Sequence, residues 1–222
     1  MRIIASIEKG EAVRFISHLD IQRSLQRTVR RAGLPVSFSQ GFNPHPLISF
    51  ATALSVGQTG GGEWIEIKMD EDISTDEFTR RMNESFPEGM RVSSAYIARE
   101  GTPSVATLMR SAEYSASCSG VNTDLMLCAV NDVMSGQSII VTKSKKQNGR
   151  KVKDAEVDLK PMIYDFSVVS VTSDSIKVRA EGRLDAAGGL NMDLLLRAIN
   201  DAAGINAQWR ICRERINLSQ EL

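Results

Sequence analysis

Two histidines, three cysteines and no excess charge of either sign are what this chain of 222 residues most conspicuously lacks, and each shortage closes off a class of function. Cys118, Cys128 and Cys212 are odd in number and far apart, so they form neither a disulfide framework nor the clustered ligand set of a zinc or iron–sulfur site. They read as reduced thiols among apolar neighbours, the usage of a cytoplasmic protein, and that is where the chain is expected to work. Lys plus Arg (27) equals Asp plus Glu (27), so no overall field draws the molecule to nucleic acid or anionic lipid, and any such affinity must be local. No window approaches the roughly 20 apolar residues that span a bilayer. The charged residues Arg2, Glu8 and Lys9 interrupt the N-terminal stretch, which therefore does not read as a signal peptide. The glycines from Gly57 to Gly62 lack the pattern of a phosphate-binding loop and lead into a strand rather than a helix, so they read as a hairpin tip. No cofactor and no metal is expected.

What remains, 42% hydrophobic and 24% charged, is the composition of a globular protein that can bury a core. Arg2–Glu8 alternates as a strand. Ser17 caps a helix in which Ile21, Leu25, Val29 and Ala32 share one face, until Gly33 and Pro35 stop it. Strands are expected over 36–39, 47–54 and 63–69, a second helix over 75–86 behind Ser74, and a strand over 90–98. After a linker at 99–110, a similar order follows: strand 113–119, helix 123–134, strand 137–144, hairpin 167–181, helix 192–203 and strand 207–218. This predicts an α+β fold of two tandem ferredoxin-like modules of the βαββαβ type, over 1–100 and 111–222, with antiparallel sheets. Two helices would cover one sheet face of each module and leave the other free to bind.

Charge gathers locally. Arg23, Arg27, Arg30 and Arg31 fall within about 100° of arc opposite the apolar face of the first helix, and a row of planar guanidiniums matches successive phosphates. A solvated face would look the same. Ser39-Gln40-Gly41-Phe42-Asn43-Pro44-His45-Pro46 is dense in turn residues: Phe42 could stack on a base, Gln40 and Asn43 read polar edges, and His45 donate to phosphate. A self-capped connection is the plainer reading. Lys143, Lys145, Lys146, Arg150 and Lys151 form a basic stretch with no acid among them, either a grip on an RNA backbone or a solubilising loop. His18 and His45 supply the minimum pair for metal-free acid–base cleavage, although His18 projects toward the apolar side of its helix.

Arg14-Phe15-Ile16-Ser17-His18-Leu19-Asp20, the helix ending Arg30-Arg31-Ala32-Gly33-Leu34-Pro35, the Ser39–Pro46 loop and Ile48-Ser49-Phe50 together resemble the radical-SAM-linked protein family. The likeness is close over about the first 70 residues and looser at Val157-Asp158-Leu159-Lys160-Pro161. Gly60-Gly61-Gly62 departs from it, standing where a more polar, acidic stretch is the family pattern. The resemblance implies a radical-SAM partner, bacterial occurrence and no established activity. This chain has no three-cysteine run that could hold such a partner's cluster itself. The tandem modules with a histidine near the first helix are also similar, at the level of fold alone, to repeat-associated RNA-processing endonucleases.

The leading expectation is an accessory protein, not itself catalytic, that binds RNA or a ribonucleoprotein for a radical-SAM partner. Its RNA-binding candidates are Arg14, Arg23, Arg27, Arg30, Arg31, Gln40, Phe42, Asn43, His45 and the basic stretch. The alternatives are a metal-independent RNA-processing enzyme using His18 and His45, and a protein–protein adapter.

Overall fold

Ile3, Ala5 and Ile7 alternate with Arg2, Ile4 and Ser6, and that period of two builds strand β1 (Arg2–Lys9). The computed structural model describes residues 1–147 and 150–219. After β1 come α1 (His18–Arg31), β2 (Ile48–Phe50), β3 (Thr59–Lys68), α2 (Thr75–Ser85), β4 (Met90–Ile97) and a short α3 (Val105–Leu108). Then follow β5 (Met109–Ser119), α4 (Thr123–Ser135), β6 (Ile140–Gln147), β7 (Arg150–Asp158), β8 (Ile163–Val171), β9 (Ser175–Asp185), β10 (Gly188–Gly189), α5 (Met192–Ala203) and β11 (Arg210–Leu218). The fold is α+β, with its strands paired mostly antiparallel. Two compact units divide the chain: Met1–Ala112 together with the residues from Cys212 on, and Glu113–Ile211. The segment from Cys212 thus groups with the first unit, whereas the division read from the sequence runs 1–100 and 111–222.

In the first unit, β1 lies antiparallel between β3 and β4, with Ala5 opposite both Ile65 and Ala95. β2 pairs with β3, Phe50 opposite Ile65, giving the order β4–β1–β3–β2. α1 and α2 cover one face, where Ile3, Ile7, Leu25, Val29, Ile65, Ile67, Phe78 and Met82 are buried in one cluster. Each such side chain contributes about 1.5–3 kcal/mol through removal of apolar surface from water.

The opposite face is not free, as the sequence reading had it. Arg2 Nη2 donates to the carbonyls of Thr102 and Pro103, and the Val105 N–H donates to the Glu66 carboxylate. Val105 and Leu108 are buried, as is Ile4 on β1. The segment expected to be a plain linker carries enough apolar surface to dock, so it does. The glycines also differ from the hairpin tip expected: Gly60, Gly61 and Gly62 lie inside β3. A Cβ on Gly61 would stand 2.8 Å from the Glu214 carbonyl oxygen, so the missing side chain makes room for the backbone of β11. β11 pairs in parallel there, Cys212 opposite Thr59 and Arg213 opposite Gly60.

In the second unit, β9 pairs with β8, Val168 opposite Val178, and neighbours β5, with β10 folding back on its end. Asn122 and Asn191 cap α4 and α5 by accepting from the Leu125 and Leu194 N–H groups, and α5 stops at Gly204 in the left-handed region (φ 65°). These two helices pack on each other, and Met126, Val130, Leu195 and Ile199 are buried. β6 and β7 form a separate antiparallel hairpin, Val141 opposite Val157. Cys118 is buried and Cys212 half-buried, but Cys128 is exposed on α4, so the apolar setting expected for all three thiols fails there. No helix among the described residues is long and apolar enough to cross a membrane.

Candidate functional site

Ser17 starts α1 by accepting from the Asp20 N–H, and its hydroxyl donates to the Asp20 carboxylate at 2.7 Å. Ile21, Ser24, Leu25, Thr28 and Val29 then turn inward, which leaves Arg23, Arg27, Arg30 and Arg31 outward and exposed. They are not equivalent. Arg23 pairs with Asp20 at 3.0 Å, an exposed bond of small net worth that also holds the carboxylate below its ordinary range, after the larger effect of Ser17. Arg31 donates to the Ser85 carbonyl at 2.6 Å and so ties the end of α1 to the end of α2. Among the described residues no hydrogen bond or ion pair engages the Arg27 or Arg30 guanidinium, although the Arg27 charge helps to lower the Asp20 carboxyl.

The loop from Ser39 to Pro46 is a tongue closed at its neck. The Ser39 N–H donates to the His45 carbonyl at 2.9 Å, the His45 N–H donates to Ser39 Oγ at 3.1 Å, and Ser39 Oγ meets His45 Nδ1 at 2.8 Å. A bridge between Phe38 and Pro46 completes the closure. Gln40, Phe42 and Asn43 stand out from it, with Phe42 wholly exposed. His45 lines a cleft of about 260 Å³ with Arg2, Ser49, Glu66 and Lys68. Glu66 and Lys68 alternate along β3 with Ile65 and Ile67, which face α1, so this cleft lies on the sheet face away from the arginine row. The two basic candidates of the first unit are therefore separate surfaces.

His18 and His45 do not meet. His18 sits on the helix side of the sheet with its ring edge-on to Phe50, centroids 5.0 Å apart, and lines the small cavity there, whereas His45 lines the cleft on the other face. Gln22 Nε2 lies 3.1 Å from His18 Nε2 and can only donate, so that contact requires a neutral ring. Burial holds the His18 pKa below its ordinary 6.5; the Glu63 carboxylate opposes this and the Lys9 ammonium adds to it. Between the folded value and 6.5 the unfolded chain binds more protons, so stability rises with pH there and is lost on acidification. In thermal melts from about pH 7 to pH 5, His18→Gln is expected to flatten this loss; an unchanged slope would assign it elsewhere.

Beneath His18 is a charged cluster that the sequence reading missed. Lys9, Glu63 and Arg213 are only 2%, 5% and 4% exposed. Arg213 Nε donates to Glu63 Oε1 at 2.9 Å while Nη2 donates to the other carboxylate oxygen, a bidentate pair. Lys9 Nζ donates to the Arg14 carbonyl at 2.9 Å, and its burial pushes the amine below its ordinary 10.5, against the pull of Glu63. Lys9 and Glu63 also line a cavity of about 20 Å³ with His18, Phe50 and Thr52, room for about one water. Arg14 is half-buried, paired with Glu11 at 3.0 Å and laid over the Phe15 ring at 4.4 Å. In the second unit Lys143 is exposed on β6; the side chains of Lys145, Lys146, Arg150 and Lys151 lie outside the described residues. No three His, Cys, Asp or Glu among the described residues gather as metal ligands.

An α+β chain on a mostly antiparallel sheet, with guanidiniums along an exposed helix face, defines a class of protein rather than a reaction. Within that class the chain belongs to the family described as an uncharacterized protein conserved in bacteria (DUF2344), whose family model matches residues 2–191. Comparison with curated proteins gives no match. Among solved structures it is similar to a chain in the crystal structure of a Cbf5–Nop10–Gar1 complex, at 11% identity and a TM-score of 0.54, covering 96% of this chain and 48% of that one. It is also similar to a chain of an H/ACA ribonucleoprotein bound to a substrate RNA containing 2′-deoxyuridine, at 13% identity and a TM-score of 0.49, covering 96% and 47%. The chain thus spans about half the length of each, and the likeness to the first is one of fold.

Proposed function

We propose that this chain is an accessory RNA- or ribonucleoprotein-binding protein that grips a sugar–phosphate backbone along Arg23, Arg27 and Arg30 and delivers it to a radical-SAM partner in the cytoplasm. The observation that carries the reading is the exposed guanidinium row on α1, in which no side-chain hydrogen bond or ion pair among the described residues engages the Arg27 or Arg30 guanidinium. An exposed guanidinium without a hydrogen-bonded partner keeps its fork open, and a phosphate matches that fork. The radical-SAM partner rests on the resemblance of the first 70 or so residues, from Arg14 to Phe50 above all. Phe42, wholly exposed at the tip of a tongue with a fixed neck, suits an anchor for that partner, while His45, Gln40 and Asn43 add polar contacts beside it.

The tandem ferredoxin-like construction belongs to the same proposal. The order β4–β1–β3–β2 in the first unit supports it, as does β8–β9–β5 with α4 and α5 in the second, where the β6–β7 hairpin is then an insertion carrying the basic stretch.

The test is retention of RNA and protein by the tagged full chain from a bacterial lysate at low salt, both identified. Bound RNA that washes off steeply as salt rises supports the reading. A radical-SAM protein recovered without RNA, in equal amounts from the chain and from its Arg23/Arg27/Arg30→Glu variant, would replace it with the adapter reading.

A further inference from the structure

The arginine row of α1 does not end at Arg23. Leu19 precedes Arg23 by one turn on the same face and is 62% exposed, and Phe15, just before the helix cap, is 68% exposed. Beside Phe15 stands Val56, 57% exposed, on a turn fixed by the Gly57 N–H donating to the Arg14 carbonyl at 2.9 Å. That turn lies against one edge of the ring, since a Cβ on Gly57 would stand 3.8 Å from Phe15 Cε1, an ordinary contact. Large apolar side chains so exposed beside a basic row are costly to solubility and have no role in the core of the first unit.

The ring is also held in place. The Arg14 guanidinium covers one of its faces at 4.4 Å and is itself pinned by Glu11 at 3.0 Å. The Arg14 carbonyl, in turn, accepts from the buried Lys9 ammonium at 2.9 Å as well as from Gly57. One aromatic face is thus backed by a cation and one edge by the Gly57 turn, while Phe15 stays 68% exposed.

We infer that Phe15, backed by Arg14 and flanked by Leu19 and Val56, is a stacking platform for an unpaired nucleobase, whose strand then runs along Arg23, Arg27 and Arg30. The inference rests on the RNA-binding reading and narrows its ligand to single-stranded RNA. Three guanidiniums over seven residues of helix span roughly 10 Å, a length that suits a short run of phosphates. A duplex keeps its bases stacked on one another and offers none to the platform, whereas every unpaired base has a free face. Base-on-aromatic stacking also tolerates sequence, so the platform selects strandedness rather than a particular base.

Fluorescence anisotropy of the full chain with a labelled poly-uridine oligonucleotide and with a blunt RNA duplex of equal length tests this. Phe15→Ala is expected to weaken the unpaired strand about tenfold and leave the duplex unchanged, and Phe15→Trp to restore the loss. Because Phe15 is exposed, the variant keeps its fold, and a melting curve checks it. If the unpaired strand binds Phe15→Ala as tightly as the original chain, the platform is refuted while the arginine reading stands. Equal weakening of strand and duplex refutes it too, and a parent chain that binds neither RNA refutes both.

Discussion

Glu63→Ala is expected to cost the first unit about 3–5 kcal/mol, read as a fall in the urea midpoint at unchanged slope. Glu63 and Arg213 are both almost fully buried and joined by two hydrogen bonds, so removing the carboxylate leaves a guanidinium in the interior. A further acceptor, the Ala53 carbonyl at 3.3 Å, carries no charge. Lys9 makes matters worse: Glu63 is the anion that opposes the depression of its pKa, and without it that support is lost while the Arg213 guanidinium still disfavours the ammonium. The amine then has to shed its proton or the cluster has to open to water. Replacing both ends of the pair by apolar residues, with Lys9→Met, is expected to recover most of the loss, because desolvating charges offsets much of what a buried pair contributes. A loss below about 1 kcal/mol for Glu63→Ala would mean that the pair is solvated, as exposed pairs are.

For Arg23/Arg27/Arg30→Glu the expected result is a fold intact and RNA affinity reduced at least about 100-fold, because three phosphate contacts become three repulsions. The side chains are exposed, and the single bond lost, from Arg23 to Asp20, is worth under about 1 kcal/mol. With three contacts to a single strand, log K against log salt is expected to slope at about −2 for the parent chain and to vanish for the variant. Arg31→Ala is the contrasting control. It removes the bond to the Ser85 carbonyl and loosens α1 from α2, so it moves the melting temperature and leaves RNA affinity nearly unchanged. If Arg31 mattered to RNA as much as Arg27, the row would be wider than proposed.

Local chemistry was legible where short-range rules decide. α1, α2 and α5 follow from Ser17, Ser74 and the apolar periodicity of 192–203, and the exposure of Arg23, Arg27 and Arg30 follows from the same periodicity. The segment 36–54 was harder, because turns at Gly41, Pro44 and Pro46 leave only Ile48–Phe50 in a ladder. Long-range pairing was not legible at all. That Gly60–Gly62 is a strand, and that 102–108 covers β1 and β3, depends on neighbours far away in sequence. The charged cluster did leave a trace. Lys9 follows Ile3, Ala5 and Ile7 in the inward phase of β1, and Glu63 precedes Ile65 and Ile67 in that of β3. A charge on the core phase of a strand calls for a buried counter-charge, but nothing local names Arg213.

The position of that counter-charge also bears on the order in which the molecule is made. Glu63 and Arg213 are 150 residues apart, so a ribosome adding about 5–20 residues per second delivers the carboxylate roughly 8–30 s before its guanidinium. By the end of that interval every other strand of the β4–β1–β3–β2 sheet has been made, while β3 still lacks β11 along Thr59 and Gly60 and the acid on its inner phase lacks its bidentate partner. Until β11 arrives, the edge of β3 at Thr59 and Gly60 lacks its parallel partner, so the consolidation of the first unit is timed by the arrival of β11.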